Sequence, residues 1–166
     1  MKTNLVLVSL LNDKTKEISE KIALDFELYY ADIEEILNYN FFNANDIKEN
    51  CGIEYLNKLK TKTIREISTY ENTLICIPFS MFIEDDNAKF FNRYGTTVFL
   101  DYDEGIIKSY LKSNSQDENE VKVALLALSD RRKLCKESCN IRIKLGKNDF
   151  VKNYKKIKKV IDNYYL

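Results

Sequence analysis

The chain has 166 residues, which is the size of a single domain with one hydrophobic core. Its 26 Lys and Arg side chains balance 26 Asp and Glu side chains, so it lacks the basic excess typical of a nucleic-acid-binding protein. It contains no histidine, and this excludes imidazole bases, Ser-His-Asp relays and His-ligated metal sites. Only four residues are glycine, which disfavours a site built from a glycine-rich loop. We predict one domain over residues 1–166 with no nucleic-acid partner.

The first apolar stretch, residues 5–11, is interrupted by Ser9 and leads directly into the polar segment 12–14. Because no small-residue cleavage site follows it, we interpret it as a buried strand rather than a signal peptide. No run of the sequence approaches the roughly 20 apolar residues that a membrane-spanning helix needs. The four cysteines are too few for a disulfide framework in a chain of this length. We therefore expect a cytoplasmic protein with no membrane partner.

Hydrophobic periodicity predicts strands that alternate with helices along the whole chain. In chain order, the predicted elements are strand 4–9, helix 14–25, strand 26–30, a helix capped by Asp32, helices 45–50 and 53–70, strand 73–77 ended by Pro78, helix 85–94, strand 96–100, helix 104–112, polar loop 113–119, helix 121–137, strand 140–145 and helix 149–164. Strand 4–9 is a continuous apolar run, typical of a strand covered on both faces, and strand 73–77 is also a buried strand.

This alternation predicts a three-layer α/β domain with a five-stranded parallel sheet, because each right-handed crossover packs a helix back onto the sheet. Ligands of such sheets bind beyond the carboxyl ends of the strands. The segments that directly follow strands are therefore the candidate functional regions. They are 9–16, 30–34, 78–82 and 101–104.

Four segments carry, in order and with matching spacing, a pattern known from one enzyme family. They are NLVLVS at 4–9, YADIEEIL at 30–37, NRYGTTVFL at 92–100 and RRKLCKESCN at 131–140. In these segments the chain resembles the shikimate kinases, small members of the P-loop kinase group, and the likeness covers nearly its full length. The resemblance implies a P-loop-kinase-like fold. For an active member it implies ATP-dependent phosphorylation of a small hydroxy acid in aromatic amino acid biosynthesis.

The resemblance also implies where nucleotide would bind. The family's phosphate loop uses glycine backbone, a Lys and a Ser or Thr; the matching segment 9–16 contains no glycine. One register makes Lys14 and Thr15 the Lys-Ser/Thr pair, whereas gapless alignment places Thr15 at the lysine and Lys16 at the hydroxyl position. For an active chain this implies ATP on Lys14, Thr15 and Lys16, magnesium on Thr15 and Asp32, and catalytic roles for Lys14 and Asp32. The alternative is a plain strand-to-helix turn.

Three further residues match positions that bind substrate or metal in the family. The positions of Asp32 and Glu34 assist magnesium and bind a substrate hydroxyl, although Asp32 is also an ordinary helix cap. Arg131 matches an arginine that binds the substrate carboxylate, and it is equally a candidate for a solvated helix-end charge. The resemblance therefore implies that Glu34 and Arg131 bind substrate.

Other recognition parts of the family differ in this chain. Asn57 stands where the family has its first substrate arginine, and the lid segment 113–120 contains no arginine. Pro78, Phe79 and Ser80 replace a three-glycine turn, and we expect Phe79 to fill the substrate pocket.

These departures fall on the groups that handle phosphate, and handling phosphate is most of what such a kinase contributes. We predict a pseudoenzyme that has lost ATP-dependent phosphoryl transfer and acts as a binding or regulatory partner, for a protein or for a small hydroxy acid. One alternative is a divergent active shikimate kinase that uses ATP and magnesium. Another is a small-ligand-binding protein with changed specificity.

Overall fold

The computed structural model describes residues 4–114, 117–146 and 149–165. Strands and helices alternate as the sequence predicts. The elements are β1 (Asn4–Ser9), α1 (Asn12–Asp25), β2 (Tyr29–Asp32), α2 (Ile33–Asn40), α3 (Ala44–Cys51), α4 (Ile53–Ser68), β3 (Thr73–Pro78), α5 (Phe79–Ile83), a 3-10 turn (Glu84–Asp86), α6 (Asn87–Tyr94), β4 (Gly95–Tyr102), α7 (Glu104–Asn114), α8 (Glu118–Leu126), α9 (Leu128–Ser138), β5 (Ile141–Leu145) and α10 (Phe150–Tyr165).

In the described part of the chain the five strands form one parallel sheet in the order β2-β3-β1-β4-β5. The central strand β1 pairs with β3 and β4, so that Leu7 lies between Cys76 and Val98. This confirms the predicted three-layer α/β fold. It also places the carboxyl ends of β1, β2 and β3 side by side.

Both faces of the sheet are covered by helices. Leu5 and Leu7 pack into a core that includes residues of α1 and α10, whereas Val6 and Val8 pack into a core with residues of α2, α4, α5 and α6. Because alternate side chains of a strand point to opposite faces, a strand covered on both faces must be apolar throughout. This accounts for the uninterrupted apolar run of β1.

Two of the predicted elements differ clearly from the structure. The second strand begins at Tyr29 rather than at residue 26, because the Phe26 N–H still bonds the Ile22 carbonyl at the end of α1 and Glu27 turns the chain with φ 53°. The predicted helix 121–137 is two helices, α8 and α9, which meet at Ala127. No Gly or Pro marks that break in the sequence.

Two predicted non-helical segments are partly helical. The residues after Pro78 form the short helix α5. The predicted loop 113–119 is shortened by α7 and by α8, where Asp117 caps α8 by accepting a hydrogen bond from the Asn119 N–H; residues 115 and 116 lie outside the described part. No described helix has the length and apolar character needed to cross a membrane.

A buried ion cluster joins the edge of the sheet to α9. The Asp101 carboxylate, at the end of β4, accepts from Arg142 Nε at 2.9 Å and contacts Arg132 Nε at 3.0 Å. Asp101 is 5% exposed, so its charge needs these partners. The segment 101–104, predicted as a candidate functional region, thus begins with a residue engaged in holding β4, β5 and α9 together.

We expect Asp101→Asn to lower the free energy of unfolding by about 2 to 3 kcal/mol, because two partly buried guanidinium groups lose their shared counter-ion. Urea denaturation measures the change. The control is Glu66→Gln, which breaks an exposed Lys62–Glu66 pair and should change stability by about 0.5 kcal/mol or less. Equal effects of the two substitutions would contradict the structural role of Asp101.

Candidate functional site

The turn from β1 into α1 is closed by its own side chains. The Ser9 hydroxyl accepts a hydrogen bond from the Leu11 N–H at 2.9 Å, and the Leu11 side chain packs into the core with 1% exposure. Helix α1 begins at the next residue, Asn12. The turn therefore presents a buried leucine at the position where a phosphate loop needs open backbone.

Thr15 faces the interior rather than the edge of the sheet. Its side chain is fully buried, and its hydroxyl donates to the Leu11 carbonyl at 2.9 Å. Ser19, one turn further along α1, repeats the arrangement by donating to the Thr15 carbonyl at 2.7 Å. The Thr15 hydroxyl, predicted as a metal and nucleotide ligand, is thus turned towards its own helix.

Lys16, the next residue, contacts the carboxylates at the end of β2 and the start of α2. Its Nζ lies 3.1 Å from Asp32 Oδ2 and 3.5 Å from Glu34 Oε2. Asn12, four residues earlier on the same face of α1, donates from Nδ2 to that Glu34 oxygen at 2.8 Å. We call Asn12, Lys16, Asp32 and Glu34 the strand-end cluster.

Asp32 has two roles in this cluster. Its Oδ1 accepts from the Glu35 N–H at 3.1 Å, which confirms the predicted N-cap of α2. Its side chain is 2% exposed, and Oδ2 faces Lys16. Burial lowers the pKa of Lys16, but the hydrogen bonds and negative charges of Asp32 and Glu34 outweigh it, so the pKa is raised and the ammonium stays charged at neutral pH.

Two uncharged groups, the Cys76 thiol and the Tyr30 hydroxyl, lie next to the cluster. The Cys76 thiol, on β3, contacts Asn12 Oδ1 at 3.4 Å, and burial raises its pKa to about 12. The Tyr30 hydroxyl is also buried, beside the Cys76 thiol, and burial raises its pKa. Both groups are therefore protonated at neutral pH and add no charge to the cluster.

Lys14 lies outside the cluster, on an open groove of about 910 Å³ whose lining includes Asp103, Tyr110 and Gly146. Neither Asp32 nor Glu34 lines this groove. At its edge, the Tyr110 hydroxyl donates to Asp13 Oδ2 at 2.6 Å. Lys14 therefore does not lie with Asp32 and Glu34, although the resemblance implies one site for these three residues.

Arg131 lies on α9 and lines a cavity of about 460 Å³ at the carboxyl ends of β1 and β3. Its guanidinium is exposed and forms no ion pair or hydrogen bond within the described part of the chain. Ser9, Asn12 and Ser80 also line this cavity. Phe79, which we expected to fill the pocket, forms part of the wall and packs into the core, leaving the cavity open.

Asn57, which stands at a substrate-arginine position, lines a separate cavity of about 410 Å³. The polar side chains around that cavity include Lys60, Thr61, Ser80, Glu84 and Asp85.

The residues present do not fit a magnesium–triphosphate group in this arrangement. The Thr15 hydroxyl is bonded to backbone, Lys16 is paired with two carboxylates, and Asp13 brings a further carboxylate to the first turn of α1. Among the described residues, no group of three or more His, Cys, Asp or Glu side chains is placed to hold a metal ion. Asp32 and Glu34 instead share the Lys16 ammonium.

Of the predicted site residues, the structure brings Lys16, Asp32 and Glu34 together. Arg131 lines an adjoining cavity, and Asn12 belongs both to that cavity and to the strand-end cluster. Sequence reasoning missed Asn12, although it lies in the candidate segment 9–16. Its spacing of four residues from Lys16 is a signal that both share one face of α1.

Comparison with known proteins supports the fold. No family model matches the chain, and no curated protein matches it in sequence. Among solved structures, it is similar to a shikimate kinase from Bacteroides thetaiotaomicron, with TM-score 0.78 and 15% identity over 96% of this chain and 98% of that one. It is also similar to a shikimate kinase from Acinetobacter baumannii in complex with shikimate, with TM-score 0.77 and 17% identity over 99% and 95%.

A dephospho-CoA kinase from Campylobacter jejuni is a more distant match, with TM-score 0.60 and 13% identity over 99% of this chain and 98% of that one. Identities this low show the fold alone. The predicted P-loop-kinase-like fold is confirmed.

Replacing Asp32 separates its two roles. Asp32→Asn removes the charge that faces Lys16 but keeps a good N-cap residue, whereas Asp32→Ala removes both. We expect the free energy of unfolding of Asp32→Ala to be about 1 kcal/mol lower than that of Asp32→Asn, because this is the usual contribution of an N-cap. Urea denaturation of both variants and the unaltered chain measures this. Equal stability of the two variants would show that the cap contributes nothing.

Proposed function

We propose that this shikimate-kinase-like protein has lost ATP-dependent phosphoryl transfer and acts as a binding or regulatory protein. The observation that carries the proposal is the pairing of Lys16 with Asp32 and Glu34 at the ligand edge of the sheet. A lysine shared by two carboxylates has little positive potential left to offer an anion.

Electrostatics support this proposal. Phosphoryl transfer depends on cations and N–H donors that are already directed at the phosphate oxygens. Here two carboxylates lie within 3.5 Å of Lys16, and Asp13 adds a third negative charge near the start of α1. An approaching triphosphate would meet more negative than positive charge, in addition to the closed turn at Leu11.

The cavity beside Arg131 supports a binding role. A guanidinium forms a two-pronged hydrogen bond with a carboxylate, and hydroxyl and amide groups of Ser9, Ser80 and Asn12 line the same cavity, as does the exposed Glu84 carboxylate. These groups suit a small hydroxy acid. Binding such a ligand, or a protein partner, requires no transfer chemistry.

We also propose that the protein works in the reducing cytoplasm. All four cysteines, each within the described residues, are free thiols. Cys76 and Cys135 are buried in the core, where a free cysteine behaves as a small apolar side chain.

A divergent active shikimate kinase is the second candidate. It is favoured by Lys14, which lines a groove of about 910 Å³ near the start of α1, a volume sufficient for a nucleotide. This candidate requires Asp32 and Glu34 to give up their contacts with Lys16.

A calorimetric titration with magnesium-ATP, carried to millimolar nucleotide, tests the loss of transfer. We expect no saturable heat, because neither Thr15 nor Lys16 is available to phosphate. Micromolar binding accompanied by turnover of shikimate would overturn the proposal. Loss of that turnover in Lys14→Ala would then assign the nucleotide contact to Lys14.

Shikimate serves as the probe for the Arg131 cavity, with binding followed by calorimetry. We expect Arg131→Ala to weaken binding by about tenfold or more, because it removes a charge-assisted, two-pronged hydrogen bond. Arg131→Lys should recover only part of the affinity, since an ammonium lacks the fork. The control is Lys133→Ala, an exposed cation two residues along α9; an equal loss in this variant, or no loss in Arg131→Ala, would refute a specific carboxylate contact.

A further inference from the structure

We infer that Lys16 is the built-in counter-ion of Asp32 and Glu34, and that its ammonium holds the place between these carboxylates that a divalent cation would otherwise take. The strand-end cluster is then complete without a metal. This inference concerns the resident cation of the site and does not rest on the proposed loss of phosphoryl transfer.

The first support is the demand for a cation. The Asp32 side chain is 2% exposed, and a carboxylate removed from water needs a positive partner. Among the described residues, Lys16 is the cation that contacts it, and the same ammonium also reaches Glu34. One bridging cation thus serves two carboxylates, as a divalent ion would.

The second support is how the chain delivers this ammonium. Asn12 and Lys16 project from one face of α1, while Asp32 and Glu34 flank the buried Ile33 at the start of α2. Asn12 fixes Glu34 by donating to the oxygen that Lys16 contacts. Because Lys16 is covalently tethered opposite the carboxylates, its local concentration far exceeds that of a free cation.

The third support is the chemistry of the oxygens around the ammonium. Asp32 Oδ2 and Glu34 Oε2 are hard carboxylate donors, whereas Asn12 presents its amide nitrogen to Glu34 and its oxygen to the Cys76 thiol. Magnesium and manganese prefer this type of ligand. The two carboxylates are therefore ligands that a divalent cation would accept, and the Lys16 ammonium takes the place between them.

Titration with MnCl₂, following free Mn²⁺ by electron paramagnetic resonance, tests the inference. The unaltered protein should bind no Mn²⁺ saturably up to millimolar concentration. Lys16→Met should acquire one site that binds at least about tenfold more tightly than anything in the unaltered protein, since both carboxylates lose their resident cation. The double variant Lys16→Met/Glu34→Gln should lose the new site.

The matched control is Lys62→Met. It removes a lysine from the exposed Lys62–Glu66 pair and changes the net charge equally, yet leaves only a lone surface carboxylate. It should not acquire a site. Equal gains in Lys62→Met and Lys16→Met would show a general charge effect and overturn the inference, and so would the absence of any gain in folded Lys16→Met.

Removing Lys16 leaves Asp32 buried without its partner, so circular dichroism is used to check that Lys16→Met is folded. If Lys16→Met is unfolded, the Mn²⁺ titration of the unaltered protein still tests the inference. Saturable Mn²⁺ binding that Glu34→Gln abolishes would overturn the inference, and the absence of saturable binding would support it. Detection of shikimate phosphorylation would overturn the proposed function alone. The two failures are therefore distinguishable.

Discussion

The burial of the central strand β1 is the constraint that organises the ligand edge of this protein. All residues of β1 are buried, and it is hydrogen-bonded to β3 and β4 along both edges. The chain can leave the sheet only at the carboxyl end, where α1 begins three residues after Ser9. Each side chain of this short turn and of the start of α1 must therefore pack into the core or lie at the carboxyl edge of the sheet. Leu11 and Thr15 pack down, and Lys16 points out towards Asp32.

The charges at this edge are balanced by the chain itself. A metal–nucleotide complex would bring an anion to the start of α1 and a cation to nearby carboxylates. Here Asp13 supplies a carboxylate in the first turn of α1, held by Tyr110, and Lys16 supplies the cation between Asp32 and Glu34. The electrostatic requirements of the site are thus met without a ligand, and an incoming phosphate would have to displace contacts that already exist.

The sequence predicted the order of strands and helices because β1 and β3 are short apolar runs, β5 alternates apolar and charged residues, and most helices have a clear apolar stripe. It did not locate the break at Ala127, where no residue type signals the end of a helix. The inward orientation of Thr15, which suits neither register, could have been predicted from periodicity. Thr15 lies three and seven residues before the buried Ile18 and Ile22, and so belongs to the inward face of α1.

The pairing of Lys16 with Asp32 and Glu34 was beyond such reasoning. It joins residues of three elements, α1, β2 and α2, and nothing in the local pattern of α1 indicates which side chain from elsewhere will face Lys16. The cap at Asp32 was predictable because it is a local interaction, made within three residues. Local interactions could therefore be predicted from the sequence, whereas the long-range ion pair that defines the site could be identified only from the three-dimensional structure.

Stability and phosphate binding make opposite demands on the turn between β1 and α1. Burying a leucine side chain contributes about 2 kcal/mol to folding, and Leu11 is almost fully buried. A glycine-rich phosphate loop forgoes that contribution and leaves backbone N–H groups exposed for a ligand. The closed turn at Leu11 and the paired ammonium of Lys16 are physically separate features, one apolar and one ionic. Opening the turn alone would still leave Lys16 with its carboxylates, so no single substitution in this segment would supply both the open backbone and the uncommitted cation that phosphate binding needs.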